Sequence, residues 1–183
     1  MNKIIAVVGM CGSGKSVVCD WLEKEGYQKV YFGGVIYREM EKQNIEITPD
    51  SQKEFRENLR KEHGMGVVAK ILLPEIEDLS KKGNVVLDGL YSWDEYKILK
   101  ERFPDNLFMV CIFADKEIRY ERIANRKDRP FSKEDAIKRD IAEIENSAKG
   151  GPIAFADYYI DNNVTMKTYE KRFYKILEKI NER

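Results

Sequence analysis

Five short apolar runs punctuate the chain: IIAVV at 4–8, KVYF at 29–32, NVVLD at 84–88, LFMVCIF at 107–113 and YYID at 158–161. Between them lie longer stretches with helical periodicity. Short β-branched and aromatic runs alternating with helical patterns predict a succession of βαβ units. The first, third and fourth runs are apolar on both faces, as central strands of a parallel sheet are when helices cover each side. The expected fold class is therefore α/β, with three layers (α/β/α) around a five-stranded parallel sheet.

Polar punctuation supports this division. Ser92 with Glu95, and Ser132 with Asp135, fit capping boxes that open helices. Thr48 followed by Pro49 reads as a cap and a first helical residue. Gly26 and Gly83 fall just past helical runs, where a left-handed residue is favoured. Met166, Tyr169, Phe173, Ile176, Leu177 and Ile180 form one face of the last helix, a stripe expected to pack on the core. Trp21 and Trp93 fall on helices and read as packing residues.

The helical stretch at about 34–82 exceeds what a single crossover requires. Ligands of parallel sheets bind at the carboxyl ends of the strands, so this insert is the expected acceptor-binding region. With 183 residues, one domain spanning 1–183 is expected, its core formed by 1–33, 83–125 and 140–183. No apolar stretch approaches the roughly 18 residues of a membrane span, and a cytoplasmic protein without a membrane partner is expected. Cys11, Cys19 and Cys111 lack paired spacing and read as reduced thiols. His63 has no metal-ligand companions and reads as a loop or capping residue. The 32 basic and 32 acidic residues cancel, which gives no reason to expect a nucleic-acid partner. Locally the charge is uneven: residues 116–139 hold nine basic side chains against five acidic.

Chemistry enters at GMCGSGKS, residues 9–16, which satisfies G-x-x-x-x-G-K-[ST] directly after a strand and at the opening of a helix. Gly9, Gly12 and Gly14 let successive backbone N–H groups point inward, and the helix N-terminus adds partial positive charge. The loop, with Cys11, Ser13 and Val17 at its variable positions, is read as the cradle of a nucleoside triphosphate, ATP. Lys15 is expected on the β- and γ-phosphates and Ser16 on Mg²⁺. Asp88, at the carboxyl end of the third strand, is the expected second contact to Mg²⁺ or its water; a role in capping the next turn is the alternative.

Phosphoryl transfer needs arginines that neutralise charge on donor and acceptor. One group is Arg38 after the second strand, with Arg56 and Arg60 four residues apart on one helical face. The other is RYERIANRKDRPFS, where Arg122 and Arg126 are one turn apart, Arg129 follows on a short loop and Arg139 lies beyond. Residues 126–132 read as a lid over the phosphates. Lys15, Asp88 and Arg126 are the expected catalytic groups. Arg122 and Arg126 are assigned to the nucleotide, and Arg38, Arg56, Arg60, Tyr91, Arg129 and Arg139 to the acceptor.

Taken together, the loop, GGVIYRE after strand two, VVLDG at strand three, the arginine-rich segment and ADYYIDN near the end resemble the P-loop nucleoside-monophosphate-kinase superfamily. Within it the chain is most similar to dephospho-CoA kinases and an uncharacterised family related to them. The resemblance implies a five-stranded parallel sheet, acceptor binding by the 34–82 region and residues 161–163 beside the adenine. It also exposes two departures. Those families carry an acid after the second strand, where this chain has Gly33-Gly34, and adenylate-kinase-like proteins carry an arginine where this chain has Tyr91. A ribose hydroxyl benefits from a carboxylate base, whereas a phosphate acceptor is already an anionic nucleophile. Three readings stay open: a kinase of a nucleotide-like acceptor, a dephospho-CoA kinase with Asp88 as base, and a non-catalytic nucleotide sensor. A monomer and a homodimer are both compatible with the sequence.

Overall fold

The computed structural model describes residues 1–127 and 130–183, with only the backbone described at Pro49 and Asp50. Its strands are β1 (Ile4–Val8), β2 (Gln28–Tyr31), β3 (Val85–Asp88), β4 (Leu107–Phe113) and β5 (Tyr158–Asp161). All pair in parallel, in the order β2-β3-β1-β4-β5. The doubly apolar runs are thus the three inner strands. The register sets Val7 beside Asp88 and Val8 beside Cys111, so the loop after β1 emerges between the ends of β3 and β4. That is the edge at which ligands of such sheets sit.

Alternation along the strands divides the core. Ile4, Ala6 and Val8 face one layer, built from α2 (Phe32–Lys42), α4 (Val67–Lys82) and α5 (Trp93–Arg102). Ile5 and Val7 face the other, built from α1 (Lys15–Lys24) and α9 (Met166–Asn181). Trp21 stacks on Phe173 with ring centroids 5.3 Å apart. In the first layer Trp93 stacks on Tyr96 at 4.9 Å and meets the edge of Phe155 at 5.3 Å. That aromatic group seats the short α8 (Gly150–Ala154), whose Gly151 lies against the Trp93 side chain. The remaining helices are α3 (Pro49–His63), α6 (Lys116–Ala124) and α7 (Lys133–Glu145). The 34–82 stretch is thus most of α2 with α3 and α4.

Capping follows the sequence closely. Thr48 and Ser51 cap α3 reciprocally, and Ser132 caps α7 by accepting from the Asp135 N–H. Gly26 has φ +85°, but Gly83 has φ 179° and is extended; the end of α4 runs directly into β3, so no left-handed turn is needed there. Met166 is the other correction. It is 59% exposed, whereas Tyr169, Phe173, Leu177 and Ile180 are buried, because it lies in the first turn of α9, ahead of the packed stripe. No helix among the described residues is long and apolar enough to cross a membrane.

Ser92 makes more than a cap. Its Oγ accepts from the Glu95 N–H at 3.0 Å and donates to the Met65 carbonyl at 2.9 Å, while Glu95 Oε2 accepts from the Ser92 and Tyr91 N–H groups at 2.9 and 2.7 Å. Replacing Ser92 with Ala removes two side-chain hydrogen bonds, the cap to the Glu95 N–H and the bond to the Met65 carbonyl. The expected loss is about 2 kcal/mol, read as a lowered urea midpoint with an unchanged denaturant slope.

Candidate active site

The loop after β1 is clamped from three directions. A side chain at Gly9 would run into the carbonyl of Ile112 on β4, and one at Gly14 into Nδ2 of Asn162; both glycines also have positive φ. Asn162 Nδ2 donates to the Ser13 carbonyl at 2.8 Å, and the Tyr169 hydroxyl donates to the Gly14 carbonyl at 3.1 Å. The third clamp is Arg119, which donates to the Cys11 carbonyl at 2.9 Å and forks onto Asp140 of α7 at 2.9 and 2.6 Å. With these carbonyls engaged, the loop's remaining amides can face an anion, apart from the Ser13 N–H, which donates to the Met10 carbonyl, and the Cys11 N–H, which donates to Glu143. Among the described residues Ser13 Oγ is buried without a hydrogen-bond partner.

Lys15 Nζ donates to the Met10 carbonyl at 3.0 Å, so its ammonium lies folded over the loop. Ser16 is exposed on the first turn of α1 and Val17 is partly buried. Asp88 stands at the end of β3, 3.9 Å from Lys29 Nζ, near enough to Cys19 for the two groups to influence one another. Burial raises its pKa, against the pull of Lys29 and Lys15. Cys19 is three residues beyond Ser16 on α1, which brings Asp88 alongside the helical turn that carries the Ser16 hydroxyl. One hydroxyl and one carboxylate suit Mg²⁺, which takes few protein ligands and completes its shell with phosphate oxygens and water. Ser16 and Asp88 would hold it.

Arg122 Nη2 donates to the Asn162 carbonyl at 2.8 Å, and its Nη1 is buried without a hydrogen-bond partner among the described residues. Arg126 reaches Cys11 Sγ at 3.8 Å. Arg129 lies outside the described residues. Of the 161–163 segment, Asp161 is paired with Arg172 at 2.6 Å, Asn163 with Asp115, and Asn162 braces the loop as above.

Beside the loop is a cavity of about 390 Å³ between the insert and α7, with Tyr31, Tyr91, Phe131, Arg56, Arg60 and Arg139 among its walls. Burial, together with Arg139 and Arg60, pulls the Arg56 guanidinium below its ordinary pKa, so three cations compete within one space. Arg60 is only 8% exposed and stands 3.8 Å from Glu95 Oε1. Tyr91 is at the cavity wall with its phenol pKa pushed up, first by burial and then by Glu143. Arg38 is not among the lining residues; its exposed guanidinium rests on Glu75 of α4 at 3.1 Å, on the far side of α2. At Gly33 the Tyr31 ring lies in the space that a side chain would enter, whereas a Cβ at Gly34 would meet that ring only at ordinary contact distance, 3.4 Å.

Several site residues stand outside the sequence reading. Arg119 and Asp140 form the clamp just described. Glu143 lines the cavity and also accepts from the Cys11 N–H at 3.2 Å, from Lys149 at 2.7 Å and from Arg139 at 3.2 Å. Lys149 is 1% exposed. The i, i+3, i+4 spacing of Arg139, Ala142 and Glu143 could have marked one face of α7, but nothing in the sequence distinguishes that face from a solvated one.

The Arg119–Asp140 pair is buried, with side chains 8% and 10% exposed. Asp140 raises the Arg119 pKa despite burial, and the Tyr120 hydroxyl adds a further bond at 3.1 Å. Arg119→Met should destabilise the fold by about 3–5 kcal/mol, because it strands a buried carboxylate. Combining it with Asp140→Leu should recover part of that loss; urea denaturation of both variants measures the difference.

Comparison with known proteins agrees with this fold. A family model described as AAA domain matches residues 5–145. The UPF0200 protein of Thermococcus onnurineus is 36% identical over 181 residues, covering 97% of each chain. Among solved structures, dephospho-CoA kinase from Campylobacter jejuni is similar with a TM-score of 0.64 at 16% identity, covering 100% of this chain and 98% of that one. Shikimate kinase from Bacteroides thetaiotaomicron is similar with a TM-score of 0.62 at 14% identity, covering 99% of each. At such identities these two likenesses speak for the fold alone, a P-loop α/β fold shared with kinases. The full-length match is what assigns the family: the chain belongs to the UPF0200 proteins, built on an AAA-type P-loop domain.

Proposed function

We propose that this protein is a P-loop kinase that transfers the γ-phosphoryl group of ATP, with Mg²⁺, to a nucleotide-like acceptor bearing a phosphate. The observation that carries this reading is the cavity whose walls include Arg56, Arg60 and Arg139 and which meets the phosphate loop at Glu143. A loop for a polyphosphate beside a cationic, aromatic-walled space is the arrangement needed to bring donor and acceptor together while excluding water. Arginine rather than lysine suits the planar, bidentate capture of an acceptor phosphate. Tyr31, Tyr91 and Phe131 supply faces on which a base can lie.

In this reading Lys15 and the loop amides hold the β- and γ-phosphates, Ser16 and Asp88 hold Mg²⁺, and Arg122 and Arg126 neutralise the donor. Mg²⁺ when bound would offset charge on the transferring group. Transfer to a phosphate oxygen needs no strong base, which agrees with the absence of an acid at Gly33-Gly34. Asp88, beside Lys29 and absent from the cavity walls, is better placed for the metal than for a ribose hydroxyl.

The test is ADP release from ATP, with Mg²⁺, in the presence of nucleoside monophosphates, nucleosides or dephospho-CoA. Stimulation by at least one monophosphate is expected, abolished in Lys15→Ala. Arg56→Gln should raise the acceptor KM about tenfold or more, as loss of one charge-assisted contact does, and leave the KM for ATP within about twofold. Stimulation by dephospho-CoA alone would transfer the reading to the ribose hydroxyl. ATP binding with no acceptor-dependent turnover would identify a sensor instead.

A further inference from the structure

Glu143 and Lys149 form a buried charge pair that the reading above leaves unused. Glu143 is 4% exposed and Lys149 1%, and a fully buried lysine is rare unless something demands its charge. The Lys149 ammonium donates to Glu143 Oε2 at 2.7 Å and stands 4.7 Å from the centre of the Tyr91 ring. Its backbone is tied as well, its N–H donating to the Glu143 carbonyl at 3.2 Å. The carboxylate oxygen that takes this ammonium also takes the Cys11 N–H, an amide of the phosphate loop. The other oxygen takes Arg139.

The local charge does not balance. Lys149, Lys15 and Arg139 all act on the one Glu143 carboxylate, and together they outweigh its burial and lower its pKa. Lys149 is in turn pulled down to about 8, first by burial and then by Lys15, against the support of Glu143. A purely structural pair gains nothing from a third and a fourth partner of one sign. Buried pairs of that kind are commonly replaceable by apolar residues at no loss of stability. Two cations in contact with a single carboxylate, one oxygen of which also takes a loop amide, make a site that suits a larger anion.

We propose that Lys149 is a second phosphate-binding lysine, and that phosphoryl oxygens of a bound nucleoside triphosphate replace the Glu143 carboxylate on the Cys11 N–H and the Lys149 ammonium. Carboxylate and phosphoryl oxygens accept the same charge-assisted hydrogen bonds, and their like charge keeps both from holding those donors at once. Glu143 is thus an internal competitor that keeps Lys149 oriented, and Arg139 serves either anion. In this proposal Lys149 joins Lys15 on the terminal phosphoryl group. This rests on the triphosphate-binding reading of the loop.

The experiment is calorimetric titration of ADP and of β,γ-imido-ATP, each with Mg²⁺, into the full chain and into Lys149→Met and Glu143→Gln. The native protein should bind both nucleotides. Lys149→Met should weaken the triphosphate analogue about tenfold or more, as loss of a charge-assisted contact does, and ADP by less than about twofold. Glu143→Gln, nearly isosteric and free of the competing charge, should tighten the analogue several-fold and leave ADP unchanged; it keeps the proposal testable if Lys149→Met does not fold. Equal effects on both nucleotides, or an unchanged or weakened analogue in Glu143→Gln, would overturn the role of Lys149 while nucleotide binding stands. Failure of the native protein to bind either nucleotide would overturn the triphosphate reading, and this proposal with it.

Discussion

Residues 9–14 must turn while their amides stay directed toward an anion, and that geometry survives only because neighbouring elements occupy the loop's other side. The Ile112 carbonyl closes on Gly9, Asn162 closes on Gly14 and takes the Ser13 carbonyl, and Arg119 takes the Cys11 carbonyl. The Asn162 and Arg119 contacts each satisfy a loop acceptor from within the protein, and the Ile112 carbonyl limits the space at Gly9. What is left over is a set of donors, which is the physical definition of an anion site. The loop is therefore a property of β4, β5 and α6 as much as of its own glycines.

Helix α7 joins this loop to the cavity. Asp140 on one face grips Arg119 and so reaches the Cys11 carbonyl; Glu143, which lines the cavity and takes Arg139 on its other oxygen, accepts from the Cys11 N–H. Both backbone groups of one loop residue are thus held, directly or through one arginine, by a single helix. A shift of α7 moves loop and cavity wall together. Loop and cavity are coupled by a helix whose outer face exposes Ile141 and Ile144 among its charged residues.

The fold was legible because its signals are local and repeated. Alternation along β1 separates Ile4, Ala6 and Val8 from Ile5 and Val7, and the doubly apolar runs became the inner strands. The phosphate loop was legible for the same reason, since strand, spacing and lysine all lie within a dozen residues. The rest of the site was not, because it depends on which side of a helix is covered. Arg119 and Asp140 read like any charged residues until α6 crosses α7 and removes both from water. Lys149, next to Gly150 and Gly151, reads like part of a polar connection. Arg38 shows the converse: one turn of α2 turns it toward Glu75 and α4, while Arg56 on α3 lines the cavity.

The two tryptophans of the chain lie in opposite layers. Trp21 is sealed among Tyr169 and Phe173 behind the sheet, whereas Trp93 is in contact with Gly151, two residues from Lys149. Their emission therefore reports on different parts of the molecule. Rearrangement around α8 perturbs the half-buried indole and spares the sealed one, so the protein carries an intrinsic optical probe of its site together with an internal reference.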